Sequence, residues 1–161
     1  MLKWRHLYPV LEWRTVSSMP DRLQKEIIIA DGKGVQIIAF PELCITGYTC
    51  GDLFAQQLLL EEAEMGLMQI LNNTRQMDII SILGMPVPLN GVLLNTAVVI
   101  QKGKILGVVP KTYLPNYKEF YEKRWFTSAC EVSENDSPFV RANSPHGAES
   151  AFRDGGYNLW N

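Results

Sequence analysis

The sequence predicts an α/β layered domain, and three observations carry that prediction. Two continuous apolar runs of strand length, "VQIIAF" (35–40) and "DIISILGMPV" (78–87), flank a segment with helix-like apolar positions. Two β-rich runs then follow in "VLLNTAVVIQKGKILGVVPK" (92–111), joined by Gln101-Lys102-Gly103-Lys104 as a hairpin with glycine at its turn. Apolar residues make up 47% of the 161 positions, enough to build a core for one domain.

The elements follow in order. "RLQKEIIIADGKG" (22–34) reads as a short helix closed by Gly32 or Gly34, since glycine takes the left-handed conformation that ends helices. "VQIIAF" lacks alternation, as expected of a strand covered on both faces. Asp52 is placed to cap a helix starting near Leu53, with Leu58, Ala63, Met65, Met68, Ile70 and Leu71 as its apolar positions. Helix, strand, helix, strand and hairpin in that order are the grammar of an α/β layered domain.

Composition excludes several classes. A formal net charge of −2 gives no reason to expect a nucleic-acid or anionic-membrane partner. The apolar runs fall well short of the roughly 20 residues of a membrane helix, and no secretory pattern follows Lys3, Trp4, Arg5 and His6. Cys44, Cys50 and Cys130 form neither a CxxC pair nor a disulfide framework, which favours a reducing cytoplasm. No zinc or other metal site is expected, because Cys44 and Cys50 lack partners at ligand spacing.

Two charged residues stand where open α/β sheets place their sites, just past strand ends. Glu42 follows "VQIIAFP" and precedes the apolar Leu43 to Ile45; Lys111 follows "ILGVVP". A carboxylate and an ammonium delivered in this way can act as a general base and as a stabiliser of developing negative charge.

The words around them are more specific. "AFPELCITGYTCGDLF" (39–54), followed by "LNTAVVIQKGKILGVVPKTYLPNYKEFYEKRWF" (94–126), resembles the nitrilase superfamily of carbon–nitrogen hydrolases. Within it, "CITGYTCGDLF" and "KTYLPNYKEFYEKRWF" point to the amino-terminal glutaminase domains of bacterial glutamine-dependent NAD⁺ synthetases. The resemblance covers residues 23–135, roughly two-thirds of the chain. It implies part of a nitrilase-type αββα sandwich and a Glu-Lys-Cys triad, with Glu42 as base and Lys111 as oxyanion stabiliser. It also places Tyr117, Phe120 and Glu122 around the glutamine pocket, with Glu122 propping the lysine. The implied substrate is L-glutamine, hydrolysed through a thioester to supply ammonia to a synthetase domain that normally shares the polypeptide. ATP and Mg belong to that other domain, so no cofactor is expected here, and the family's members assemble as homo-oligomers. Another amidase of the superfamily is the narrower alternative.

The nucleophile does not follow from the resemblance. Family members carry it well beyond the lysine, in a strand reading approximately F-G-I-x-I-C-x-D-x-W, and no such string occurs. Cys44 reads as a small buried thiol, and Cys130 lies outside the expected strand. The ends, 1–22 and 136–161, lack family pattern, so the sandwich is expected to be incomplete, its first strand and C-terminal half missing or altered. Codon degeneracy allows "KWRH" and "EWRT", in a shifted frame, to read Val-Ala-Ala and Val-Ala-Asp. The last 26 residues, shifted by one nucleotide, can end in F-G-I, which suggests a gene fragment with a reading-frame change near each end. On this reading the polypeptide is inactive by itself, a truncated relic or an interaction fragment.

Overall fold

The structure, a computed structural model, describes residues 4–6 (backbone only), 18–118 and 120–132. Five strands form one sheet in the order β1-β2-β3-β4-β5: Trp4–His6, Ile37–Ala39, Ile80–Leu89, Val92–Gln101 and Lys104–Pro110. The first three run parallel, with Trp4 opposite Ile37 and Ile37 opposite Ile80. The last three form an antiparallel meander. The first strand is present as three residues with an altered sequence, in line with the expectation that it is missing or altered; ladder hydrogen bonds come from the backbone and do not require the family's side chains. The other expectations for the two ends fall on 7–17 and 133–161, outside the described residues.

Helix α1 (Met19–Gly32) carries Pro20 in its first turn, where the missing N–H costs nothing. It stops as predicted at its glycines: Gly34 adopts φ +68° and donates to the Asp31 carbonyl at 2.8 Å. Helix α2 (Gln57–Asn73) starts later than the sequence suggests. A 3₁₀ segment, Tyr48–Ala55, occupies the expected first turn, and the side chain of Asp52 is committed elsewhere. The buried face of α2 is correspondingly rotated. Leu59, Leu60, Ala63, Leu67, Ile70 and Leu71 are buried, whereas Leu58 and Met65 are exposed.

Both helices pack on one face of the sheet. Leu23, Ile27 and Ala30 of α1 and Leu67, Ile70 and Leu71 of α2 join Ile38, Leu83, Met85, Val98 and Val108 in the main core. The helices approach closely at Gly66, where an added Cβ would lie 2.6 Å from Pro20 Cγ. The other face is covered only in part: the loop 41–43 crosses it at Gly84, and beyond that it is more open. Ile37, Ile80 and Ile82 are half-buried, and Leu106 and Val109 of β5 are exposed, so the two-sided burial expected of "VQIIAF" is not reached.

The β4–β5 hairpin turns at Lys102 and Gly103, both with positive φ, as predicted. An equally tight turn at Asn90 and Gly91, again with positive φ, joins β3 to β4 and was not anticipated. A second, smaller core of Leu43, Phe54, Leu59, Leu114 and Phe126 fastens the loops beyond the strand ends.

Candidate active site

The loop after β2 delivers Glu42 by an unusual path. It crosses β3 at Gly84, where a Cβ would come within 2.9 Å of both the Glu42 carbonyl carbon and the Pro41 oxygen. Leu43 takes a positive φ of 52°, and the loop is tied back by Ile45 N donating to Gly84 O at 3.1 Å. Only a glycine on β3 lets the backbone pass so close.

Lys111 follows β5, its N–H donating to Asn95 O at 2.8 Å and its carbonyl accepting from Ala129 N at 3.1 Å. Its ammonium meets two carboxylates. Nζ stands 2.6 Å from Glu42 Oε1 and 3.0 and 2.8 Å from Glu122 Oε1 and Oε2. Glu122, on the 3₁₀ turn Glu122–Arg124, has a side chain only 2% exposed. Its carboxylate is turned inward onto Lys111 rather than out to solvent. Burial tends to lower the Lys111 pKa, but the hydrogen bonds and charges of Glu122 and Glu42 outweigh it and hold the pKa above the usual lysine value. The ammonium is therefore cationic throughout the neutral range.

Two further residues complete the cluster, neither anticipated in this role. Asn95 Nδ2 donates to Glu42 Oε1 from within β4. Tyr48 donates its hydroxyl to Glu122 Oε1 at 2.9 Å. Burial first, and then Glu122 as acceptor and as charge, push the Tyr48 pKa up to about 12, so it remains a donor. The polar signal available in sequence was Asn95, with Thr96 beside it, in the middle of a mostly apolar strand.

The turn that bears Glu122 is clasped from outside. Asp52 accepts from Arg124 Nε at 2.8 Å and Nη2 at 3.2 Å, and from Trp125 Nε1 at 3.0 Å. These bonds hold the Asp52 carboxyl below its usual value. Beneath them Phe54 packs on Phe126 at 4.9 Å between ring centroids. The 3₁₀ segment that displaced the start of α2 is thus one jaw of this clasp.

A cleft of about 340 Å³ opens beside the ion cluster, lined by Glu42, Asn95, Lys111, Phe40, Gly84 and Val109 among others. Tyr117 and Phe120, expected at the pocket, do not line it; they pack on each other at 5.7 Å between centroids, with Tyr117 largely exposed. None of the three thiols lines it either. Cys44 is buried, exchanges hydrogen bonds with the Gly84 backbone, and is pushed by burial up to about 12. Cys50 donates to Thr46 O, its pKa also raised by burial, and Cys130 is exposed. Among the described residues no cluster suits a metal ion, and no helix is long and apolar enough to cross a membrane.

Comparison with known proteins identifies the family. Residues 10–152 match the carbon–nitrogen hydrolase family, a wider span than the motifs define. The chain belongs to that family. Among curated relatives, the glutamine-dependent NAD(+) synthetase of Mycobacterium leprae is 42% identical over 91 residues, covering 56% of this chain and 13% of that protein. The enzyme of the same name from Aquifex aeolicus is 38% identical over 119 residues, 73% of this chain and 21% of that protein. The crystal structure of a glutamine-dependent NAD(+) synthetase from Cytophaga hutchinsonii superposes with a TM-score of 0.64 at 34% identity, over 68% of this chain and 18% of the other. An amidase from Nesterenkonia sp., at 20% identity and a TM-score of 0.65, covers 80% of this chain and 48% of its own, and shows the shared fold. The chain therefore spans about a fifth or less of the length of the synthetases it matches.

Proposed function

We propose that this chain carries the base and oxyanion-stabilising half of a glutamine-hydrolysing site that supplies ammonia for NAD⁺ synthesis. The observation that carries the reading is the convergence of Glu42 and Glu122 on one ammonium, that of Lys111, beside an open cleft. Glu42 takes the proton of a thiol, and the resulting thiolate attacks the side-chain amide carbon of glutamine. Lys111 stabilises the tetrahedral oxyanion. The C–N bond then breaks, the proton held by Glu42 passes to the leaving nitrogen, and ammonia departs. Water activated by the same carboxylate cleaves the thioester, releasing glutamate and restoring the thiol. Glu122, with both oxygens engaged, holds the lysine.

The thiol does not come from the described residues, because Cys44 is buried and bonded to the Gly84 backbone and neither Cys50 nor Cys130 lines the cleft. That observation favours the second reading: by itself this polypeptide is non-catalytic, and its chemistry needs a cysteine-bearing strand. In the complete assembly the partners are L-glutamine, a synthetase domain that uses ATP and Mg, and further copies of the chain. This domain takes no cofactor of its own, contacts neither nucleic acid nor membrane, and works in the cytoplasm.

The test is a full-length glutamine-dependent relative in which residues 35–132 of this chain replace the matching segment. We expect it to release ammonia from glutamine, and Glu42→Gln or Lys111→Met to cut the rate by about 10²-fold or more. The chain alone should release none above background. Glutamine hydrolysis by the chain alone, or an active chimera indifferent to Glu42→Gln, defeats the reading.

A further inference from the structure

The two carboxylates on Lys111 are bonded differently, and the difference points to a residue outside both motif centres. Glu122 uses both oxygens: Oε1 accepts from Tyr48 and Lys111, and Oε2 accepts from Lys111. Glu42 gathers its bonds on one. Its Oε1 accepts from Lys111 Nζ and from Asn95 Nδ2, and among the described residues Oε2 has no donor. Asn95 is only 3% exposed and lies in β4, between β3, over which the Glu42 loop passes, and β5, which leads into Lys111. Its backbone oxygen also accepts from Lys111 N at 2.8 Å. One residue therefore holds both members of the pair, the glutamate by side chain and the lysine by main chain.

We propose that Asn95 is the positioning residue of this site, holding Glu42 Oε1 so that Oε2 is the oxygen that takes and returns the proton. The proposal rests on reading Glu42 as the base. A lysine on its flexible stem gives charge but not orientation. A second donor from a rigid strand fixes the carboxylate plane, as a preorganised site requires. The donor is also neutral, so it directs Glu42 without adding a charge beside Lys111. An amide facing a carboxylate presents nitrogen rather than oxygen, so the direction of the bond follows from the pairing.

The test has two arms. In the full chain labelled with ¹⁵N, one Asn95 side-chain amide proton should resonate displaced by its carboxylate acceptor; Glu42→Ala should abolish the displacement, and Lys111→Met should leave it in place. In the chimera described above, Asn95→Asp keeps the shape but replaces the donor with an acceptor. It should lower kcat by about 10²-fold with KM within about twofold, a larger loss than Asn95→Leu causes. A residue that merely fills space would give the opposite order, with Asp tolerated and Leu not. An amide resonance indifferent to Glu42→Ala, or an active chimera in which Asn95→Asp retains its kcat, overturns the proposal. A chimera inactive before any further substitution removes the hydrolytic reading instead, and the amide resonance then decides the placement of Asn95 alone.

Discussion

Lys111 and Glu122 form an ion pair 2.8 Å long in which the glutamate side chain is almost fully enclosed and the lysine side chain is 28% exposed. Such pairs contribute modestly to stability while intact, but removing one partner leaves an uncompensated charge that cannot reach water. Lys111→Met should therefore cost about 2–4 kcal/mol in urea unfolding, somewhat under the range for fully buried pairs because the ammonium is partly hydrated. Lys102 and Asp78 are a fair control, since they form an equally short contact in the open, and Lys102→Met should cost less than about 1 kcal/mol. Equal losses in the two variants would mean that the enclosure of Glu122 has no energetic weight.

Gly84 sets the position of Glu42 from outside the catalytic words. A methyl group there would run into the backbone of residues 41–43, which is already held at a positive φ by Leu43. Backbone cannot rotate away as a flexible side chain can, so the strand or the loop must move. Gly84→Ala is expected to destabilise the chain by about 1–3 kcal/mol and to lengthen the contact between Lys111 Nζ and Glu42 Oε1. Unfolding curves and a crystal structure of the variant would check both; an unchanged contact would show that the crossing does not place the glutamate.

What the sequence made legible was local. The apolar run before Glu42, the glycines after α1 and the Lys102-Gly103 turn each act through their own backbone, so their residues announce them. What it hid depended on residues brought together from afar. Asp52 read as a helix cap because capping is a short-range role; Arg124 and Trp125, 72 and 73 positions away, claim it instead. Helix α2 starts at Gln57 instead, and the face it buries, set by packing on the sheet, leaves Leu58 and Met65 exposed. Glu122 is legible only through the family resemblance, because nothing nearby in sequence shows that Tyr48 and Lys111 close over it. The Asn90-Gly91 turn carries an equally local signal, since asparagine and glycine both tolerate the positive φ that such a hairpin needs.

Glu64 gives the fold a pH dependence independent of the site. It is buried on α2, and burial, with the charge of Glu61 adding to it, raises its pKa from 4.5 to about 7. The folded chain thus keeps a proton that the unfolded chain has released across that interval. Stability from this group is fully present below pH 4.5, declines as pH rises towards 7, and levels off above it. Glu64→Gln removes the ionisation while keeping the shape. At pH 5 the variant and parent should unfold at nearly the same urea concentration. At pH 8 the variant should be the more stable by about 1–2 kcal/mol, less than the full linkage value because the carboxylate keeps some contact with water. The decisive quantity is the change in that difference with pH: a gap of constant size at pH 5 and pH 8 would assign the effect of the substitution to packing and leave the carboxylate without a part in it.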